Sequence, residues 1–357
     1  MNILKTLVAS SVMTVAGIGF ALAETNYEGE QVTLLINYGA GGSTDVEGRL
    51  VANHLGKHIP GNPDIIVQNM PGGGGNIGSN YLGTSAKADG MTVGFFTWNP
   101  IDQIINAPGL MIKYNDFDFV AGISQPTIFY MRKDVEPGIE VPEDLLKTNG
   151  FKAGSLSPTI HQTIRTRLAL DILDVPYTLV SGYKGLNDIA TAVLQDEIQL
   201  SNGSLTSYSS SIIPLLIEPG IATPLFHFDV ETNGEFNPDP LLEQYDTVTF
   251  LDLYRTKNGE DAMPSGDNWE ALRLINNIME AMYRSVFMPP DSPDDAVETM
   301  RAAFQALSED PDFIADYEKT IGIKPRMTIG DTGQEIIDEL GDLSPEFVEK
   351  FTAYVNQ

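Results

Sequence analysis

Two glycine-rich turns carry the clearest chemical signal in this chain. The first is Tyr38-Gly39-Ala40-Gly41-Gly42-Ser43-Thr44-Asp45, and the second is Gly72-Gly73-Gly74-Gly75-Asn76. Each follows a short apolar run, residues 32–36 and 65–67, and each leads into a segment suited to start a helix. Glycine tolerates positive φ and lets a guest approach bare backbone. A helix start leaves N–H groups unpaired and carries a partial positive charge. A strand, a glycine turn and a helix start therefore form a cradle for an anion. Two cradles so close in sequence imply one anionic guest held from two sides.

Other chemistries fit less well. Gly73, Gly75 and Gly78 match the dinucleotide fingerprint G-x-G-x-x-G, but the next strand ends in Trp98-Asn99 where a ribose-binding acid belongs. No Gly-Lys-Ser/Thr follows either turn, so a phosphate-binding P-loop is excluded. His54 and His58 sit at i, i+4 without the glutamate of a metalloprotease helix, and no calcium-loop pattern occurs in the Asn- and Asp-rich stretch 231–268. The chain has no cysteine and no G-x-S-x-G elbow. No metal and no cofactor is expected. His161 stands apart, because a Gly154-Ser155-Leu156-Ser157 loop precedes its helix and lets it reach a guest. Tyr183 and Lys184 follow a strand end in the same layer.

These residues need a scaffold of alternating strands and helices. From 31 to 125 the order reads strand, loop, helix, strand, loop, helix, strand, which implies a mostly parallel sheet with helices on its faces. Ligands of such sheets sit beyond the carboxyl ends of the strands, where both glycine turns, Thr97 and Trp98 fall. A second α/β unit starts near 126. In it Ser157 and Pro158 are expected to begin a helix with Ile160, Ile164, Leu168 and Ile172 on one stripe, and a strand at 198–200 ends in Ser201-Asn202. Residues 231–240 and 256–267 are expected as surface loops. The tail is read as helical.

Compartment and charge narrow the function. Lys5 and the apolar stretch 7–22, ending in Ala21-Leu22-Ala23, read as a secretory signal cleaved after Ala23. A soluble, exported protein follows from that reading, and a monomer is expected. The net charge is −28, which argues against nucleic acid as a partner. It does not argue against a small anion, because distant charge is screened over about 8–10 Å while N–H dipoles act at contact.

Taken together, these motifs resemble a known family. Tyr38 to Asp45 followed by Arg49-Leu50, and Asn69-Met70-Pro71 running into Gly72–Gly78, resemble the two signature loops of the tripartite tricarboxylate transporter solute receptors, the Bug family of periplasmic binding proteins. The likeness extends through Ala88 to Thr92, Gly154-Ser155 and Ser157 with His161, Gly182 to Gly185, and Phe287 to Pro293. The resemblance implies an α/β, two-lobe, type II-like (Venus flytrap) fold that closes on a small mono- or dicarboxylate and delivers it to membrane permease subunits. It implies that the first two turns hold one carboxylate through backbone N–H groups and water, at Gly39–Asp45 and Gly72–Asn76. It also implies that Ser155, Ser157, His161, Tyr183, Ser201 and Asn202 read the rest of the guest. Lobe one is expected over 24–124 plus 231–357 and lobe two over 125–230, with crossing strands near Thr127 and 223–227 as the hinge. Tyr38, Phe95, Trp98 and Tyr183 are candidate walls, and His161 and Lys184 the candidate cations. Two other readings are an exported α/β hydrolase using His161 with Ser155 or Ser157, and a ligand-sensing subunit for a membrane kinase.

Overall fold

In β1 (Gln31–Ile36) the side chains of Val32, Leu34, Leu35 and Ile36 are all fully buried, and this strand is the axis of the first sheet. The computed structural model describes residues 25–357, so the signal segment and its cleavage site lie outside the described residues. After β1 come α1 (Ser43–Leu55), β2 (Asp64–Asn69), α2 (Asn76–Thr84), β3 (Thr92–Thr97), the short α3 (Pro100–Ile104) and β4 (Asp118–Ile123). β2 and β3 flank β1 in parallel register, Ile36 lying beside Asn69 on one side and Phe95 on the other. Their carboxyl ends therefore share one edge, and both glycine turns leave from it.

The second sheet is built from β5 (Thr127–Arg132), β6 (Lys152–Ser155), β7 (Thr178–Ser181), β8 (Leu200–Ser204) and β9 (Ala222–Pro224), in the order β7-β6-β8-β5-β9. α4 (His161–Ile172), α5 (Leu186–Leu194) and a single turn α6 (Leu205–Ser207) complete this unit. α4 begins at His161 rather than at Pro158. Residues before it are held otherwise: the Thr163 hydroxyl donates to the Ser157 carbonyl at 2.5 Å, and the His161 N–H donates to Asn99 Oδ1 at 3.0 Å. All of His161–Leu170 is buried, so α4 is enclosed on every side and shows no single apolar stripe.

The stretch expected as loops is partly ordered. β10 (Phe226–His227) pairs with β13 (Val248–Thr249), and β11 (Val230–Thr232) with β12 (Glu235–Asn237) forms a hairpin. α7 (Phe250–Asn258) starts with a reciprocal capping box between Thr249 and Asp252. Phe250 joins Phe129, Phe226 and Phe228 in one ring cluster, with Phe129 and Phe226 stacked at 4.1 Å. Thus α7 packs on the second sheet. At 223–227, expected as a hinge crossing, β9 pairs with β5 and Phe226 stacks on Phe129, so the chain runs along the second sheet there. It returns through α8 (Asp267–Met282), which lies against α4, into β14 (Arg284–Met288).

β14 inserts antiparallel between β3 and β4, and β15 (Met327–Ile329) lies antiparallel outside β4, giving the order β15-β4-β14-β3-β1-β2. The first sheet is therefore mixed rather than mostly parallel. The reason is the return path: a strand entering from the second lobe starts at the edge where β3 ends. That places Arg284 directly beside Thr97. Helices α9 (Asp294–Glu309) and α10 (Pro311–Ile321) then cover α1 from outside.

Phe226→Ala removes a fully buried ring from the cluster that fixes α7 to β5. A loss of about 3–5 kcal/mol in urea unfolding is expected. A loss below about 1 kcal/mol would mean that the ring cluster does not hold this unit together.

Candidate functional site

Where the carboxyl edge of the first sheet faces the second unit, the structure encloses a cavity of about 230 Å³. Pockets that take drug-sized ligands measure roughly 300–1,000 Å³, so this smaller space suits a smaller molecule. The first glycine turn and the start of α1 form one side: Tyr38, Gly39, Gly41, Gly42, Ser43 and Thr44 all line it. Thr97, Tyr283 and Arg284 form the floor, and Leu156, Ile160, His161, Lys184 and Leu186 close it from the second unit.

The turn is braced from behind. Asp45 is buried, and its carboxylate accepts from the Gly41 N–H at 2.8 Å, Arg49 Nε at 2.9 Å and Asn69 Nδ2 at 2.8 Å. Burial pushes this carboxyl up, but the hydrogen bonds from Arg49, Gly41 and Asn69 outweigh it and hold the group below its ordinary range. Gly41 takes φ of 81°, which a side chain would resist, and a Cβ there would meet nothing within 4 Å. α1 has Gly42 at its N-cap and no side-chain cap, so its first-turn N–H groups are offered to the cavity.

Arg284 supplies what the sequence reading lacked. It is 1% exposed and lines the cavity. Its Nε donates to Glu47 Oε2 at 2.7 Å, one terminal nitrogen donates to the Thr97 hydroxyl, and the other has no partner. Glu47 in turn accepts from Gln125 Nε2 at 3.0 Å and the Tyr317 hydroxyl at 2.6 Å. The guanidinium also lies over the Tyr283 ring, 4.9 Å from its centroid. A fixed, buried guanidinium with an unpartnered nitrogen and a nearby helix start have the chemistry to hold an anion.

Several expected residues lie elsewhere. Trp98 and Phe95 are fully buried core residues, and the Trp98 indole donates to the Met282 carbonyl at 2.9 Å, so neither is a wall. β8 runs on to Ser204, which puts Ser201 and Asn202 in mid-strand rather than at its end. Ser201 donates to the Gly154 carbonyl at 3.0 Å and Asn202 to Thr166 at 2.7 Å, both beneath the surface of the cavity. Ser155 is buried and Tyr183 lies outside the lining, whereas Lys184 reaches it. His54 and His58 face Asp316 and Asp310 on the far side of α1.

The second glycine turn opens elsewhere. Gly73, Gly74, Asn76 and Ser157 line a separate recess of about 400 Å³ with Asn99 and Asp102. Gly75 is buried against Asn37 and contributes its carbonyl inward. Ile160 borders both spaces, and the Tyr38 hydroxyl donates to the Gly74 carbonyl at 2.9 Å. The two turns therefore do not converge on one cavity. Asp102, held by Asn76 at 2.8 Å, makes the second recess unfavourable for an anion.

Sequence reasoning missed Arg284, Glu47 and Tyr283. The signals were a lone arginine heading an apolar strand and a glutamate between Val46 and Leu50 on the inner side of α1. Glu47→Ala strands the buried guanidinium, and a loss of about 3–5 kcal/mol in chemical denaturation is expected. The double change Glu47→Leu with Arg284→Met should recover most of that loss. If Glu47→Ala cost under about 1 kcal/mol, the pair would not be the buried one described.

No protein-family model matches the chain. In sequence it is 29% identical over 199 residues to the UPF0065 protein in the TAR-I ttuE-ttuC' intergenic region of Agrobacterium vitis, a match covering 54% of this chain and 56% of that one. It is 34% identical over 94 residues to BugT of Bordetella pertussis, covering 26% and 28%. The chain thus spans about half the length of the first relative and about a quarter of the second. Among solved structures it is similar to the periplasmic binding protein BugD, with a TM-score of 0.63 at 17% identity over 92% of this chain and 98% of that one. MatC from Rhodopseudomonas palustris, solved with bound malate, gives 0.62 at 17% identity over 91% and 98%. A TctC solute binding protein from Polaromonas gives 0.58 at 17% identity over 93% and 99%. The chain is a sequence relative of BugT, and it has the two-lobe α/β fold of the Bug and TctC periplasmic binding proteins.

Proposed function

We propose that this protein is an exported, periplasmic receptor that captures a small organic carboxylate between its lobes and hands it to a permease of the tripartite tricarboxylate type. The observation that carries this is the unpartnered terminal nitrogen of Arg284, set beside the open first turn of α1 in one small cavity. The carboxylate sits against Arg284, Thr97 and the N–H groups of Ser43 and Thr44. The relatives support the reading, since MatC carries malate in the same fold. Among the described residues no helix is long and apolar enough to cross a membrane, which fits a receptor that works beside a separate permease.

The lobe division we propose follows the packing. Residues 125–258 form the second lobe, because α7 packs on its sheet. Residues 25–124 with the chain from β14 onward form the first, and α8 runs between them.

A hydrolase reading finds no support in the geometry. Ser157 lines the other recess, Ser155 Oγ has no partner, and the charged groups acting on His161 are the guanidiniums of Arg165 and Arg284 rather than a carboxylate. The His161 ring thus lacks the carboxylate partner that orients the base of a Ser-His-Asp triad.

A thermal-shift screen over carboxylic acids tests the reading. A ligand at 100 times its dissociation constant adds about 2.7 kcal/mol of stability. Stabilisation by uncharged sugars alone would overturn the proposal. Gly41→Val should weaken binding of the best acid by tenfold or more, on the order of 1.4 kcal/mol, because the side chain enters the cavity at positive φ. Gly74→Val, which faces the other recess, should leave affinity within about threefold. Equal losses in both would show that the two turns share one guest.

A further inference from the structure

Glu280 lies near the end of α8, the helix that runs between the lobes, and its carboxylate is buried without the bonds an interior charge needs. The residue is 8% exposed and Oε2 has no hydrogen-bond partner. Two guanidiniums stand close by: Oε1 is 3.8 Å from Arg165 Nη1 and Oε2 is 3.6 Å from Arg326 Nη2, both beyond hydrogen-bonding range. Arg326 is committed elsewhere. Its Nη2 donates to Ser124 Oγ at 2.6 Å and to Asp239 Oδ2 at 2.9 Å, and its Nη1 donates to Asp239 Oδ1 at 3.0 Å. A terminal guanidinium nitrogen carries two N–H groups, so Nη2 has none left for Glu280. Arg165 Nη1 donates to Asn276 Oδ1 at 3.2 Å, while its Nε and Nη2 are buried and unpartnered.

Burial pushes Glu280 up to about 7; Asp239 adds to that, and Arg165 and Arg326 oppose it. The group therefore changes charge across neutral pH. The charged groups facing it are Arg165 from α4, Arg326 at the entry to β15 and Asp239 from the segment after β12, while the end of β4 brings the uncharged Ser124. The other elements packed on α8 have their charges occupied. Glu231 of β11 pairs with Arg273 and Lys350 of α12 (Pro345–Val355) with Asp267, both in the first two turns of α8, and Asp331 of α11 (Asp331–Asp338) pairs with Arg301. Asp229, raised to about 6 by burial, meets α8 through its carbonyl at Asn276, and its carboxylate accepts from the Leu251 N–H at 3.1 Å.

The cluster straddles the lobes. In the division given above, Arg326 and Ser124 belong to the first lobe and Asp239 and Arg165 to the second, so the Arg326–Asp239 bridge joins the two and Glu280 stands beside it. An ionised carboxylate in the interior needs charge-assisted hydrogen bonds, and the nearest donors are those of Arg165 and Arg326. We propose that Glu280 is a proton-operated switch on the joint between the lobes: protonated, it leaves Arg326 bridged to Asp239, and ionised, it competes with Asp239 for that guanidinium and loosens the joint. The cavity is walled from both lobes, so a firm joint keeps its two sides in register. Protonation also removes a negative charge beside Arg165, whose guanidinium acts on His161 in the cavity lining. Both effects favour an anion in the cavity at lower pH. That last consequence rests on the carboxylate-receptor reading, and the switch itself does not.

The test has two arms. In the first, urea unfolding of the native protein is followed from about pH 5 to about pH 8.5. The folded group holds its proton more tightly than the unfolded one, whose ordinary value is 4.5, so this contribution to stability is fully present below that value and is lost as pH rises through about 7. The native midpoint should fall over that window, and Glu280→Gln, which keeps the shape of the protonated group, should remove that part of the fall. Asp239→Asn gives Glu280 sole claim on Arg326 and should move the fall to below about pH 6. In the second arm, calorimetry with the acid that gives the largest thermal shift should show the native protein binding about threefold or more tighter at pH 6 than at pH 8, with proton uptake, and Glu280→Gln binding equally at both. Superimposable stability profiles for the native protein and Glu280→Gln, or a native affinity that ignores pH, would overturn the proposal. Stability profiles as expected with no acid bound at either pH would overturn the receptor reading and support the switch.

Discussion

The site depends on an ion pair buried to the point of invisibility from outside. Glu47 and Arg284 have 0% and 1% of their side chains exposed, and they meet at 2.7 Å. Such a pair pays a desolvation cost of several kcal/mol per ion and persists only when further hydrogen bonds satisfy what the partner leaves open. Here Gln125 and Tyr317 complete Glu47, and Thr97 takes one nitrogen of Arg284. Those partners come from α1, the crossing into the second lobe, α10, β3 and β14. Gln125 also accepts from the hydroxyl of Thr206 on α6 at 3.2 Å. The network therefore ties the first sheet to the second lobe. One guanidinium nitrogen is left unsatisfied, and it belongs to a residue of the cavity floor.

The antiparallel insertion of β14 makes this possible. A parallel strand would present its carboxyl end to the cavity and bring no residue from the return path. Entering from α8, the chain instead starts β14 at the shared edge, and its first residue is the arginine. The same path puts Tyr283 against His161, so floor and far wall are set by adjacent residues. Asn99 then bonds both the Thr159 carbonyl and the His161 N–H, fastening the first lobe to the start of α4.

Local patterns in the sequence disclosed the parts of this that are local. The β1–α1–β2–α2–β3 alternation, the first glycine turn and the placement of Thr97 could all be read from spacing. What could not be read is partnership over distance, since Glu47 and Arg284 are 237 residues apart. Side-chain direction at a strand end was the second difficulty. Thr97 faces the cavity, whereas Trp98 turns away into the core as alternation along a strand demands, and Phe95 lies deeper on the sheet. The second glycine turn was read correctly as a turn before a helix. Which space it opens into depends on Tyr38, whose hydroxyl bonds to Gly74 and which walls the first cavity only. Composition likewise marked 231–268 as polar but hid Phe250, the residue that docks α7.

The central claim is that one carboxylate is held by Arg284 and the start of α1. The most direct measurement is a crystal structure of the complex with the acid that gives the largest thermal shift. The account predicts a carboxylate oxygen within about 3 Å of the free Arg284 nitrogen and of a first-turn N–H of α1. A carboxylate found instead in the recess of Gly73 and Gly74, with the Arg284 nitrogen still unpaired, would contradict it.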